Sequence, residues 1–146
     1  MQLRDFLGTE SIGLDLPAAS REAVLEAMVD LLAISGRSRT TLLRLLARRE
    51  VLGSTGVGRG FAIPHCRSLV VPRVRLAYGR LAGPLEWGAP DGLPVHHVFL
   101  IVAPPVEVSN QYLPILGRLA QLGRQPGFRE GLDRAATPNE VLAALD

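Results

Sequence analysis

Residues 49–68 read REVLGSTGVGRGFAIPHCRS, with four glycines inside eight positions, Arg49 just upstream and His65 directly after Ala-Ile-Pro. Consecutive backbone N–H groups in such a loop can gather anionic oxygens, and Ser54, Thr55, Gly56 and Gly58 lie where they could line the nest. Arg49, with Arg59 as a second candidate, can add a charge-assisted contact. The competing reading is that the glycines only make turns at positive φ. Pro64 fixes its own φ and biases Ile63 toward an extended backbone, so His65 stands on a stiff support. A neutral imidazole is a competent nucleophile near neutral pH, and a purely structural histidine is the alternative.

Other loop chemistries fail on spacing. A nucleotide P-loop would need Lys and Ser or Thr where Arg59 and Gly60 stand, and it would open a helix where this chain continues into the extended Phe-Ala-Ile. The dinucleotide fingerprint G-x-G-x-x-G fails because Gly60 arrives one residue early. Cys66 beside His65 suggests a thiol–imidazole dyad, yet neighbours on an extended segment point to opposite faces. His96 and His97 diverge for the same reason, and no carboxylate or cysteine stands at metal-ligand spacing from them. One of that pair is expected in the core with its ring N–H satisfied. No metal site is expected.

Outward from the loop, the 146 residues suit one domain, 1–146. With 47% hydrophobic and 21% charged residues, the chain is too apolar to be disordered. All 16 basic residues are arginines scattered along the chain, and the net charge is only +2, so no nucleic-acid partner is expected. The N-terminal MQLRDFLGTE has no apolar h-region, and the longest apolar run, VFLIVAPPV, is too short to span a bilayer. One cysteine excludes an internal disulfide. These features predict a cytoplasmic protein without membrane insertion.

Ser20 predicts the N-cap of a helix over REAVLEAMVDLLAISG that Gly36 can end, and TTLLRLLARRE predicts a second helix leading into the loop. RVRLAYGRL alternates as a half-buried strand does, and VHHVFLIVA is continuously apolar, like a strand covered on both faces. Pro114 requires the next helix to begin near 110–112, which puts Tyr112 in its first turn. Thr137, Pro138 and Glu140 predict a capping box at the last helix. Strands interleaved with helices indicate a layered α/β domain.

The run RE-x-L-G-S-T-G-V-G-x-G-F-A-I-P-H closely resembles the active-site segment of EIIA proteins of the bacterial phosphoenolpyruvate-dependent phosphotransferase system, of the fructose, mannitol and nitrogen-regulatory type. LDLPAASREAVLEAMVDLLAISG and PVHHVFLIVAPP…YLPILGRLAQL fall in the family's order, so the resemblance covers nearly the whole chain. It implies a mixed β-sheet with helices on both faces and no bound cofactor. It also implies that His65 accepts a phosphoryl group from phospho-HPr and passes it to an EIIB cysteine, with Arg49 and the loop around Thr55 near the phosphoryl group. Members commonly carry a second active-site histidine where this chain has Tyr112, which can donate a hydrogen bond but brings no positive charge near neutral pH. That departure, with no EIIB-like cysteine region in the sequence, supports the alternative of a regulatory protein. Such a protein would bind a target according to phosphorylation state, through an apolar rim near Val57 and Phe61.

Overall fold

The computed structural model describes residues 2–145; Met1 and Asp146, which bound the N-terminal segment and the last predicted helix, lie outside the described residues. Six strands, β1 (Ile12–Leu16), β2 (Gly56–Gly58), β3 (Phe61–Ala62), β4 (His65–Arg67), β5 (Arg75–Leu85) and β6 (Val95–Ala103), form one sheet. Its order is β1-β5-β6-β3-β2, with β4 also paired to β6. The sheet is mixed: β5 runs antiparallel to β6, whereas β3 and β4 run parallel to it along its other edge. Helices α1 (Arg21–Leu31) and α2 (Gly36–Leu52) pack on one face, and α3 (Tyr112–Gly123), α4 (Pro126–Arg134) and α5 (Pro138–Ala144) on the other.

β6 explains its own composition. Val98, Leu100 and Val102 enter the core beneath α1 and α2, while Phe99, Ile101 and Ala103 enter the core beneath α3 to α5. A strand buried on both faces has no solvent side to mark with polar residues, as its apolar run predicts. His97 is the exception, only 1% exposed. Its Nδ1 lies 2.7 Å from the Tyr78 hydroxyl and its Nε2 lies 2.7 Å from Asp133 Oδ1. Only one tautomer satisfies both contacts: the Tyr78 hydroxyl donates to Nδ1, and Nε2–H donates to the carboxylate. His96 is exposed, so the two side chains diverge as expected. No group of three or more metal-ligating side chains occurs among the described residues.

Ser20 caps α1 as predicted, its hydroxyl accepting from the Ala23 N–H at 3.0 Å. Gly36 does not end that helix. Ala33, at φ 57°, turns the chain, and Arg75 Nη2 donates to the Leu32 carbonyl at 2.9 Å, supplying the partner that a helix end otherwise lacks. Gly36 opens α2 instead, which therefore begins before Thr40. Thr137 caps α5, but the Glu140 carboxylate takes the Ala136 N–H in place of the predicted N-cap N–H. β1 and α4 were not legible in the sequence. β1 carries a register shift between Gly13 and Leu16 with Asp15 at φ 60°, which breaks the alternation that marks a strand.

Burial lowers the His97 pKa from its ordinary 6.5, opposed by its hydrogen bond to Asp133. The unfolded chain therefore binds this proton more readily. Stability from a neutral His97 is fully present above about pH 6.5 and is lost as pH falls through the lower folded-state value. Denaturation midpoints are expected to fall between pH 7 and pH 5. At pH 7.5, Tyr78→Phe should cost about 1–3 kcal/mol in urea unfolding, because it leaves the buried Nδ1 without a donor.

Candidate functional site

β3 and β4 are two pieces of one edge, separated by Ile63 and Pro64. The Ile101 N–H donates to the Pro64 carbonyl at 3.0 Å, so the register continues although Pro64 has no N–H to contribute. β4 then presents His65 opposite Ile101, and Cys66 opposite Val102. His65 sits on the α3 side, its ring centroid 5.7 Å from that of Tyr112. Cys66 packs with the core beneath α1 and α2, where burial pushes its thiol up to about 12. It is neither thiolate nor partner of His65, as the alternation requires.

The His65 Nδ1 lies 2.6 Å from the Ile63 carbonyl. A carbonyl only accepts, so Nδ1 carries the proton and Nε2 keeps its lone pair. Burial lowers the pKa of His65 below 6.5; the Ile63 contact opposes this, the Arg49 charge adds to it, and Glu50 works against it. The neutral nucleophilic form therefore dominates at physiological pH. Tyr112 opens α3 as Pro114 requires. Burial pushes its hydroxyl up to about 12, so it remains a donor, with Arg67 and Arg49 pulling the other way. Arg67 lies over the Tyr112 ring, its Cζ 4.6 Å from the centroid.

The glycine loop is built differently from an open nest. The Glu50 carboxylate, buried at the end of α2, accepts from the Thr55 N–H at 3.1 Å, from the Thr55 hydroxyl, and from Trp87 Nε1 at 3.3 Å. Arg21 approaches it at 3.6 Å. The Ser54 hydroxyl donates to the Trp87 carbonyl at 2.7 Å and accepts from the Gly56 N–H at 3.0 Å. The N–H groups of Thr55 and Gly56 and both hydroxyls, expected to face an anion, are thus engaged internally. A buried carboxylate needs those donors more than solvent does. Gly56 packs closely: a Cβ there would lie 3.0 Å from Ala89 Cβ, so Ala89 would have to give way. Gly58 belongs to β2 at φ 94°, paired with Phe61, so this part of the loop is a hairpin strand.

Arg49, the half-buried neighbour of Glu50 in α2, donates to the Gly53 carbonyl at 2.8 Å. Arg59 is turned toward the opposite end of the sheet, its backbone N–H held by Asp91 and its carbonyl approached by Arg129. Phe61 is not part of an exposed rim. It is 2% exposed and stacks between His97 and Phe128. Val57 is exposed, and the apolar side chains that neighbour Arg49 and Tyr112 in sequence are Val51, Leu52 and Leu113, all largely exposed. Sequence reasoning passed over Glu50 as a loop anchor, Trp87, and Arg67. Only Arg67 left a legible sign: a strand period of two puts it on the same side as His65.

A mixed sheet covered by two helices on one face and three on the other thus holds one pinned histidine beside an arginine and the first turn of a helix. The chain matches the family described as "Phosphoenolpyruvate-dependent sugar phosphotransferase system, EIIA 2" over residues 5–146, and it belongs to that family. It is 32% identical over 149 aligned positions to the PTS system 2-O-alpha-mannosyl-D-glycerate-specific EIIABC component of Escherichia coli (strain K12), covering 100% of this chain and 23% of that protein. The chain thus spans less than a quarter of that relative's length. It is 30% identical to the Nitrogen regulatory protein of Bradyrhizobium diazoefficiens, covering 99% of this chain and 95% of that one. The crystal structure of Nitrogen Regulatory Protein IIA-Ntr from Neisseria meningitidis superposes with a TM-score of 0.89 at 34% identity, covering 97% of each chain. Among the described residues no helix is long and apolar enough to cross a membrane.

Glu50→Gln replaces an acceptor with an amide that faces three donors. It is expected to cost about 1–3 kcal/mol of stability. It should also shift the emission of Trp87, the single tryptophan, before global unfolding, as read by fluorescence in a denaturant series.

Proposed function

We propose that the chain is a cytoplasmic phosphocarrier in which His65 is transiently phosphorylated on Nε2. The lone pair of Nε2 attacks the phosphorus of an HPr-like phosphohistidine. A new N–P bond forms as the donor's N–P bond breaks, and the phosphoryl group then passes to a cysteine of an EIIB protein. The observation that carries this reading is the 2.6 Å contact between His65 Nδ1 and the Ile63 carbonyl. It holds the proton on the ring nitrogen that must not react and leaves the other as nucleophile. Arg49 and the Tyr112 hydroxyl serve as phosphoryl-binding groups, because transfer depends on positioning and charge stabilisation. Ser54, Thr55, Gly56 and Gly58 serve that site as a frame that fixes the end of α2. Val51, Leu52 and Leu113 form the apolar rim on which a partner protein docks.

A regulatory reading is favoured by one specific feature, Tyr112. Without a second protonatable imidazole, the phosphoryl group on His65 has weaker charge stabilisation during onward transfer, which suits a state that is held and sensed by a target protein. The similarity to nitrogen regulatory proteins of two organisms agrees with it.

Incubation with phosphoenolpyruvate, enzyme I and HPr should place one acid-labile phosphoryl group on His65, mapped by mass spectrometry, and His65→Ala should remove it without unfolding the protein. Mapping to His96 or His97 would overturn the assignment. Because the folded-state pKa of His65 lies below 6.5, the single-turnover rate should stay level from pH 8 to about 6.5 and fall only below it. Arg49→Lys keeps the charge but loses the planar fork, and it should slow transfer about tenfold with little loss of stability. Rapid discharge to EIIB proteins supports the carrier role, and stable phosphorylation with none supports the regulatory one.

A further inference from the structure

Arg67 stands inside the site without a part in the chemistry above. Its guanidinium lies over the Tyr112 ring, and its Nη1 donates to the carbonyls of Pro104 at 2.7 Å and Ser109 at 3.3 Å. Both carbonyls belong to the segment that leads from β6 into α3, so one side chain ties β4 to the approach of the helix that carries Tyr112. No carboxylate among the described residues ion-pairs with Arg67, and its charge is not neutralised. The Tyr112 ring in turn lies against His65, at 5.7 Å and 57°. The three side chains form a row, guanidinium, phenol and imidazole.

We propose that Arg67 is a positioning residue for phosphoryl transfer, holding the Tyr112 ring against His65 and placing over it the fixed positive charge that a tyrosine lacks. The inference rests on the phosphocarrier reading. A cation over an aromatic face is attracted by the ring, which restrains the phenol. The same cation favours electron withdrawal from the hydroxyl, making it a better donor to a phosphoryl oxygen. Burial works in the opposite direction, and Arg67 is the first charged side chain that offsets it. Tyrosine plus arginine thus does jointly what one charged imidazole would do alone.

A double-mutant cycle on single-turnover phosphorylation by phospho-HPr tests this. Arg67→Met should slow transfer about tenfold when Tyr112 is present and less than about twofold in the Tyr112→Phe background. Arg67→Lys, which keeps the charge but loses the double carbonyl anchor, should recover part of the rate. Equal slowing in both backgrounds, or none in either, overturns the proposal. A second readout needs no phosphoryl donor. In protein labelled with 3-fluorotyrosine, Tyr78 and Tyr112 are the only reporters, and Tyr112→Phe assigns them. Arg67→Met should raise the pH at which the Tyr112 fluorine resonance titrates; an unchanged midpoint overturns the coupling. A folded wild type that accepts no phosphoryl group overturns the phosphocarrier reading and the transfer role of Arg67 with it, while the fluorine titration still decides whether Arg67 acts on Tyr112.

Discussion

Pro64 cannot donate a backbone hydrogen bond, and the organisation of the site follows from where that happens. On one side β6 pairs with β5 without a shift of register from Arg75 to Arg80; on the other its edge is shared by β3 and β4, which meet at Ile63–Pro64. A regular strand would carry the chain past this point with every N–H in the ladder. Here the ladder is interrupted for two residues while the Pro64 carbonyl keeps its partner on Ile101. Ile63 faces the other way, its N–H donating to the Thr55 carbonyl, and its own carbonyl meets the imidazole of His65. The register therefore runs unchanged past the proline, and the tautomer of His65 is set by the Ile63 carbonyl just before it.

A second organising group is the buried carboxylate of Glu50. An unpaired carboxylate in the interior would be strongly unfavourable, and the structure surrounds it with the Thr55 backbone and hydroxyl, the Trp87 indole and Arg21. The glycine-rich loop is shaped by this demand. Its glycines answer close approach at Ala89 and positive φ at Gly58, and its donors turn inward. Glu50 is buried at the α2 terminus, while Arg49, its neighbour, stays half-buried with its charge near His65. The loop is thereby fixed from within, and in the proposed function it is the side chains of Arg49, His65 and Tyr112 that carry the chemistry.

The two partly or fully buried histidines show how one residue type serves two ends. His97 is enclosed by Tyr78 and Asp133 with both ring nitrogens occupied, and it joins β5, β6 and α4. His65 has one nitrogen occupied and the other available. Both are held neutral by burial, so protonation state does not separate them. The number of satisfied ring nitrogens does.

The sequence by itself determined what local chemistry controls: the Ser20 and Thr137 caps, the start of α3 forced by Pro114, the doubly buried β6, and the opposite orientations of His65 and Cys66. The AIPH segment and its surroundings also made the family legible, and with it the mixed sheet. The tertiary structure decided what depends on groups far apart in the chain. Gly36 looked like a helix end because the carbonyl cap on Leu32 comes from Arg75 in another element. Phe61 looked like a rim residue because its stacking partners lie on β6 and α4. Ser54, Thr55 and Gly56 looked free because their partners, Glu50 and Trp87, meet beneath them only in the folded chain. A hydrogen-bond donor in a loop is available to a ligand only if no buried acceptor claims it first, and which acceptor reaches it is a property of the packing and not of the local sequence.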